Sequence, residues 1–209
     1  MKLQLALDLL NENEALDVVK EVGHYFDIIE IGTSLLKLCG ASIIYKVKAI
    51  CPEKVVFVDA KVIDGPEREA TLMCASGAHM FSMLACATDT AVVKVLEISR
   101  KNGVKVIFDM QSIDDYTARC KELKELGAEY LCVHKNSDCG ESLIDSFKEF
   151  TEIKELVNLP IALAGGINLN SIVEIKESLN PDIVVLGGVI LKAKNKVDLA
   201  IKFREIADQ

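Results

Sequence analysis

Short, continuous apolar runs recur along the chain at nearly regular intervals, and this repetition limits the possible folds more than any other feature. Each run is four or five residues long, and several are rich in valine and isoleucine. Such runs are typical of strands that are buried on both faces, as in parallel sheets. The runs are Leu3–Leu7, Ile28–Ile31, Val55–Val58, Met80–Leu84, Val104–Phe108, Tyr130–Val133, Ile161–Ala164 and Ile183–Leu186.

Between these runs lie segments with the apolar spacing and charged faces of amphipathic helices, as in Ala15–Val22 and Asn170–Leu179. Glycines typical of helix ends follow three further segments, at Gly77, Gly103 and Gly127. Eight buried strands that alternate with eight helices in 209 residues predict a (β/α)8 TIM barrel. We expect a single domain spanning residues 1–209, because neither a linker nor a composition shift marks a second one.

A doubly wound open sheet is the alternative fold for alternating strands and helices. Its first strand is normally followed by a turn of the form Gly-x-Gly-x-x-Gly. Here the first run ends in Leu7-Asp8-Leu9-Leu10-Asn11, which contains no glycine. The sequence therefore favours the barrel.

Composition argues against several classes of function. The net charge is −8 and no basic cluster occurs, which argues against partners such as nucleic acid or an anionic membrane. No apolar stretch reaches the roughly 18 residues that span a bilayer, and the apolar start is too short for a signal peptide. We therefore expect a cytoplasmic protein. The seven cysteines are scattered, with no Cys-x-x-Cys pair, and are interpreted as small buried thiols in a reducing compartment.

The segment with the most chemical content is Asp59-Ala60-Lys61-Val62-Ile63-Asp64, which follows the third apolar run. In α/β folds, residues at the carboxyl ends of parallel strands build the functional site. Asp59 and Lys61 are two positions apart, so on an extended strand their side chains point to the same side. Asp64 lies just past the strand and can face the same site or a neighbouring subunit. An isolated Asp-x-Lys also fits a surface ion pair, so its interpretation depends on the other strand ends.

Charged or titratable residues also stand at the ends of four other predicted strands. In a barrel, four carboxylates, one lysine and one histidine would converge, and like charges at close range require a counter-charge. The lysine supplies one, and a divalent cation held by carboxylate oxygens, with magnesium as the expected ion, would supply more. Taken singly, the aspartates also fit helix caps and the histidine a buried structural residue. The cluster comprises Asp8, Glu30, Asp59, Lys61, Asp109 and His134.

The last two strands end in glycine pairs instead of charges, Gly165-Gly166 and Gly187-Gly188. Small residues let backbone N–H groups approach an anion closely, and helix N-termini favour negative charge. Barrels frequently bind a phosphate at these two loops. A lone glycine pair also fits a tight turn, but two pairs in register predict a phosphorylated small molecule as the substrate.

Together these motifs resemble the orotidine 5′-monophosphate decarboxylase superfamily, which is built around Asp-x-Lys-x-x-Asp at strand three. The resemblance runs nearly end to end, and within the superfamily it is to the 3-hexulose-6-phosphate synthases. Orotidine decarboxylation itself is disfavoured, since Glu30-Ile31-Gly32-Thr33 is similar to the metal-dependent sugar-phosphate branch. The matching segments are Lys2–Asp8, Asp27–Thr33, Asp59–Gly65, Val133–His134, Ala164–Ile167 and Gly187–Gly188.

This resemblance implies an aldehyde-lyase that joins D-ribulose 5-phosphate and formaldehyde in an aldol condensation, giving D-arabino-hex-3-ulose 6-phosphate. It implies Mg²⁺ as the cofactor, with Glu30 and Asp59 as its ligands and a magnesium-stabilised enediolate as the intermediate. It also implies a homodimer with shared active sites, because the residue matching Asp64 reaches the partner's site in this family.

Further roles follow from the same resemblance. Lys61 hydrogen-bonds the developing enediolate oxygen, and Asp8 and Asp64 hold the lysine and the substrate hydroxyls. His134 is the expected general acid or base, as histidine often is near neutral pH. Asp109 binds a hydroxyl or orients a water. The substrate phosphate is expected against Gly165, Gly166, Gly187 and Gly188.

The related 3-keto-L-gulonate-6-phosphate decarboxylases are the alternative, and four comparisons argue against them. Asp109-Met110 is similar to the synthases, where the decarboxylases carry Glu-Leu. Ala164–Ile167 and Gly187–Ile190 differ from their Thr-Gly-Gly-Leu and Gly-Arg patterns, and Ser137 stands where they carry arginine. The loop after His134 is shorter than in the synthases, which leaves open decarboxylation, or a barrel that binds a sugar phosphate without turnover.

Overall fold

The structure, a computed structural model, describes residues 1–135 and 143–209. It contains the strands β1 (Lys2–Leu7), β2 (Ile28–Ile31), β3 (Val55–Val62), β4 (Met80–Leu84), β5 (Lys105–Asp109), β6 (Tyr130–His134), β7 (Ile161–Ala164) and β8 (Ile183–Leu186). Each strand pairs in parallel with the next along the chain, and β8 pairs with β1 to close the barrel. The predicted (β/α)8 TIM barrel is therefore confirmed.

Helices cover the outside of the barrel: α1 (Glu12–Val22), α2 (Thr33–Cys39), α3 (Ser42–Ile50), α4 (Pro66–Ala75), α5 (Asp89–Lys101), α6 (Tyr116–Leu126), α7 (Leu143–Leu156), α8 (Ser171–Glu174), α9 (Gly188–Leu191) and α10 (Lys196–Asp208). The expectation of one helix after each strand is wrong at two places. β2 is followed by both α2 and α3, because Gly40 adopts a φ of 63° and ends α2. β8 is followed by both α9 and α10.

One predicted helix also differs in its detail. The segment expected as a helix over Asn170–Leu179 begins at Ser171, and from Ile175 to Leu179 it is π-helical. Asn180, with a φ of 45°, ends it in the left-handed conformation. The predicted helix-ending glycines are confirmed, since Gly77, Gly103 and Gly127 all have positive φ.

Two apolar layers hold the barrel together. The larger one fills the space between the outer faces of the strands and the helices. The smaller one lies inside the barrel and consists of Ile28, Phe57, Met80, Ile107, Ala162 and Ile183, with Val55, Tyr130 and Cys132 against it. Because successive strand residues point to opposite faces, strands buried on both faces need apolar residues at nearly every position. This is why the runs are almost entirely apolar.

The third strand departs from regular pairing where it carries the Asp-x-Lys motif. Val58 pairs with Phe81 and Val62 pairs with Met83 on β4, so three residues of β3 lie opposite the single residue Ser82. Such a bulge bends the strand and re-aims its side chains. β3 therefore extends to Val62, four residues beyond the predicted run.

The opposite end of the barrel is held by a histidine with a structural role. The backbone N–H of Val56 donates to His79 Nδ1 at 2.9 Å.

Among the described cysteines, Cys51 and Cys120 are buried but Cys86 is exposed, so the interpretation as buried thiols is wrong for Cys86. Within the described residues, none of the helices has the length and apolar character needed to cross a membrane.

Candidate active site

A cavity of about 820 Å³ opens at the carboxyl ends of the strands, and all eight strands contribute residues to its lining. The structure brings nearly all the predicted site residues to this cavity. They are Asp8, Glu30, Asp59, Lys61, Asp109, His134, Gly165, Gly166, Gly187 and Gly188. Asp64 is the exception: it is exposed and is not among the lining residues. Ser137 and most of the loop after β6 lie outside the described residues.

Five of these residues, Glu30, Asp59, Lys61, Asp109 and His134, form what we call the charged arc. Lys61 Nζ lies 2.6 Å from Asp109 Oδ2 and 3.2 Å from Asp59 Oδ1. His134 Nδ1 lies 3.0 Å from the same Asp109 oxygen. The lysine and the histidine therefore share one carboxylate, and the ring nitrogen Nε2 of His134 is the one left for a substrate.

The geometry of Asp59 and Lys61 corrects one step of the sequence prediction. The side chains of Asp59 and Lys61 do contact each other. However, this contact does not come from the alternation of side chains along a regular strand. Lys61 has a φ of 46°, and the bulge in β3 carries both residues over Ser82. Within this chain the lysine forms ion pairs with Asp59 and Asp109. The roles that the resemblance implies for Asp8 and Asp64 stay predictions.

Mutual charge sets the protonation states in the arc. Burial works to raise the pKa of Asp109, but the hydrogen bond and charge of His134 and the ion pair with Lys61 lower that pKa to about 2. Burial works to lower the pKa of Lys61, yet Asp59 and Asp109 raise it above its ordinary value. Asp109 and Lys61 are thus an ion pair that neutral pH leaves intact.

The pKa of Glu30 is shifted in the opposite direction from that of Asp109. Burial, reinforced by the negative charge of Asp59, raises the pKa of Glu30 well above its ordinary value, and Asp8 adds to the effect. Gln4 opposes it by donating from Nε2 to Glu30 Oε2 at 2.7 Å. A cation near Glu30, Asp59 and Asp8 would relieve this repulsion.

Neutral hydroxyls fix the orientation of Asp59. Thr33 Oγ1 lies 2.7 Å from Asp59 Oδ2 and 2.8 Å from the Asp59 carbonyl oxygen. Ser82 donates to Asp59 Oδ1 at 2.7 Å. Both oxygens of this carboxylate are therefore held, one by the first residue of α2 and the other by the central residue of β4.

Asp8 lies between the ends of β2 and β8. A Cβ atom built on Gly32 would stand 2.2 Å from Asp8 Oδ1, and one built on Gly187 would stand 3.6 Å from Asp8 Oδ2. Gly32 is therefore the residue that makes room for this carboxylate. Its role is a close approach of side chain to backbone, since any larger residue would displace Asp8.

The four glycines at the ends of β7 and β8, Gly165, Gly166, Gly187 and Gly188, form what we call the glycine arc. Gly165 has a φ of 111°, and a Cβ there would stand 2.2 Å from the carbonyl oxygen of Lys135, so backbone packing explains it. Gly166 has a φ of 65° but faces open space. Gly188 begins α9, and its missing side chain would lie 3.8 Å from Lys192 Nζ. This half of the rim therefore offers backbone groups, with the Lys192 ammonium beside them.

Several polar cavity residues escaped the sequence prediction, among them Gln4, Thr33, Ser82 and Lys192. The first three are neutral, and a search for charges at strand ends does not detect them. Gln4 and Ser82 each interrupt an otherwise apolar run, which is the signal that identifies them. Lys192 stands four residues after Gly188, the spacing that brings side chains to one face of a helix. Its ammonium group adds a cation to the backbone donors on this side of the cavity.

The residues present fit a magnesium ion. Among residues 1–135 and 143–209, no three His, Cys, Asp or Glu side chains are grouped as a metal site. Magnesium is commonly held by only one or two carboxylates and completed by water and substrate oxygens. Glu30 and Asp59 supply two such carboxylates, and their mutual repulsion supplies the electrostatic demand for a cation.

Comparison with known proteins identifies the family of this chain. The model of the orotidine 5'-phosphate decarboxylase / HUMPS family matches residues 1–203. The chain belongs to this family, which confirms the resemblance seen in its motifs. It is 36% identical over 173 residues to a 3-hexulose-6-phosphate synthase of Bacillus subtilis, covering 82% of each chain.

Two further relatives carry the same name. A 3-hexulose-6-phosphate synthase of Mycobacterium gastri is 33% identical over 172 residues, covering 82% of this chain and 83% of that one. The crystal structure of 3-hexulose-6-phosphate synthase from Salmonella typhimurium superposes with a TM-score of 0.93 at 34% identity. That match covers 99% of this chain and 98% of the other.

Proposed function

We propose that this protein catalyses the aldol condensation of D-ribulose 5-phosphate with formaldehyde to D-arabino-hex-3-ulose 6-phosphate. The observation that carries the proposal is the charged arc, in which Lys61 and His134 meet on the one carboxylate of Asp109. The arc pairs a fixed positive charge with a proton-transfer group, as an enolising enzyme requires. The relatives named 3-hexulose-6-phosphate synthase support this reaction over others of the family.

In this mechanism Lys61 stabilises the enediolate. Removal of a proton from C1 of ribulose 5-phosphate places negative charge on the oxygen of C2, the former ketone oxygen. Lys61 is kept protonated by Asp59 and Asp109, so its ammonium donates to the developing oxyanion without prior rearrangement. Glu30 and Asp59 would hold magnesium, which when bound supplies Lewis-acid polarisation of the ketone and the adjacent hydroxyl.

His134 is the group that moves the proton. Asp109 fixes the ring through Nδ1 and leaves Nε2 to take the C1 proton. C1 then attacks the carbon of formaldehyde and forms the new carbon–carbon bond. The formaldehyde oxygen receives a proton from His134 and becomes the new terminal hydroxyl, so the histidine returns to its starting state.

The glycine arc binds the substrate phosphate in this proposal. The first N–H groups of a helix have no partner within it, and Gly188 places such groups at the cavity without a side chain in front of them. Gly166 faces open space on the neighbouring loop. Lys192 adds a positive charge beside them. The phosphate and the reacting C1 atom would then lie at opposite sides of the mouth.

NMR of ribulose 5-phosphate in deuterium oxide tests the first step directly. With protein and magnesium present, we expect deuterium to enter C1, and ¹³C-formaldehyde added afterwards to appear as the new terminal carbon. The Lys61→Ala variant serves as the control and should exchange far more slowly. Neither exchange nor condensation in the wild-type protein would refute the proposal. Faster carbon dioxide release from 3-keto-L-gulonate 6-phosphate than aldol addition would favour the decarboxylase alternative.

We further propose a homodimer in which Asp64 completes the partner's site. Asp64 is exposed, and two apolar side chains near it in sequence are unusually accessible: Ile63 is 44% exposed and Leu72 53%. In the proposed dimer these apolar side chains would be covered by the partner, as apolar residues in the core of an interface are. Asp64 and Lys61 would then serve different sites of the dimer.

Mixing two inactive variants tests this arrangement. Lys61→Ala and Asp64→Asn are expected to be nearly inactive alone and to recover when their subunits exchange. In each mixed dimer one site carries both wild-type groups, so random exchange gives about a quarter of wild-type activity. Verified exchange without recovery would show that the two residues serve the same site.

A further inference from the structure

We propose that Ser82 is a positioning residue that holds Lys61 and Asp59 in register for catalysis. The inference rests on the proposed function, because its importance depends on the role of Lys61. Ser82 lies on β4, is only 2% exposed, and stands alone opposite the bulge formed by Asp59, Ala60 and Lys61. Ser82 is therefore the residue of β4 that faces the catalytic segment of β3.

The backbone of Lys61 needs such a support. Its φ of 46° lies in the left-handed region, which a long side chain adopts at a cost in free energy. Residues in such conformations persist only where their surroundings fix them. In the bulge, the Lys61 N–H cannot join the regular ladder to β4. It donates to Ser82 Oγ at 2.8 Å instead.

The same hydroxyl completes a closed ring of polar contacts. Ser82 Oγ accepts from the Lys61 N–H and donates to Asp59 Oδ1 at 2.7 Å. That Asp59 oxygen lies 3.2 Å from Lys61 Nζ. A hydroxyl has both a donor and acceptor lone pairs, so one buried atom serves both residues. The Ser82 hydroxyl donates its proton to Asp59. Ser82 therefore affects the reaction indirectly, through the positions of Lys61 and Asp59.

The chain offers a matched control for this role. Thr33 also holds Asp59, through Oδ2 and the carbonyl oxygen, but it donates nothing to the Lys61 backbone. Thr33→Val therefore disturbs Asp59 alone, whereas Ser82→Ala disturbs Asp59 and Lys61 together. Ser82→Thr keeps the hydroxyl and should keep both contacts.

Amide hydrogen exchange at Lys61 and deuterium exchange at C1 of ribulose 5-phosphate test the inference together. Ser82→Ala should expose the Lys61 amide and lower kcat for C1 exchange by up to about 100-fold, since small misplacements of catalytic groups have effects of this size. KM should change by less than about threefold, because the proposed phosphate site is the glycine arc, away from Ser82. Ser82→Thr should restore both readouts, and in Thr33→Val the Lys61 amide should remain protected.

Each outcome decides the matter. A Ser82→Ala protein with wild-type kcat and a protected Lys61 amide would overturn the proposal, as would a Ser82→Thr protein that behaves like Ser82→Ala. Should the alanine variant fail to fold, Ser82→Cys, with its weaker hydrogen-bonding group, carries the same expectations. If the wild-type protein shows no C1 exchange, the proposed function fails, while the amide readout still tests the contact with Lys61.

Discussion

The two arcs of the cavity rim are built by opposite means. In the charged arc, side chains hold one another: Asp109 is 3% exposed and pairs with both Lys61 and His134. In the glycine arc, missing side chains leave backbone accessible, and Gly166 faces open space. Interactions that appear only as charge develops raise kcat, whereas those present throughout raise affinity. We therefore expect substitutions in the charged arc to change kcat and those in the glycine arc to change KM.

Removal of Lys61 should have the largest effect. Lys61→Ala deletes the donor to the enediolate oxygen and leaves Asp59 and Asp109 without their counter-ion. We expect kcat to fall about 10²- to 10³-fold, as for other preorganised donors to an oxyanion. Initial rates with varied ribulose 5-phosphate measure this, with Lys194→Ala, an exposed lysine outside the cavity lining, as the control. A change of less than tenfold would remove Lys61 from the mechanism.

Gly188→Asp should instead raise KM, by about 100-fold, because like charges brought together in an interface cost several kcal/mol. The new carboxylate would repel the phosphate and would also pair with Lys192, whose Nζ would lie 3.8 Å from the added Cβ. Gly188 is not in the left-handed region, so the fold should tolerate a side chain. Gly188→Arg is the matched variant and should keep KM near or below the wild-type value. Equal behaviour of the two variants would place the phosphate elsewhere.

Acid should remove a predictable part of the free energy of unfolding, the part that Asp109 of the charged arc contributes. The pKa of Asp109 is about 2 in the folded protein, below the ordinary value of 3.8, so this carboxylate stabilises the fold above about pH 4. The contribution, about 2 kcal/mol, is lost as pH falls through 2.

Urea unfolding between pH 5.5 and 2.5, with chelator present, measures this loss. We expect the free energy of unfolding to fall more steeply for the wild type than for Asp109→Asn. Asp17→Asn, which changes an exposed aspartate on α1, should follow the wild type. Parallel curves for wild type and Asp109→Asn would show that Asp109 is not held by charge. Gly188→Arg should leave the pH dependence unaltered, since the glycine arc has no such pair.

The sequence predicts the fold well, because buried strands need continuous apolar runs, and four of the eight runs match the strands residue for residue. The bulge in β3 is not predicted. It depends on the pairing of Val58 and Val62 with β4, which no local pattern encodes. The charged residues are predicted as strand-end residues. Their partners are not, because Thr33 and Ser82 act through contacts between elements that are distant in sequence.

The smallest expected effect concerns Lys192, whose ammonium group lies beside the glycine arc. Lys192→Ala should raise KM about 3- to 10-fold with kcat unchanged, since an exposed ion pair contributes only about 1 kcal/mol. The effect should shrink as salt is raised, because exposed charges are screened within about 10 Å at 0.1 M ionic strength. Lys194→Ala removes the same charge two residues away, outside the cavity lining, and should leave KM unchanged. If both variants raise KM equally, the effect is one of general charge, and the phosphate is held by backbone donors alone.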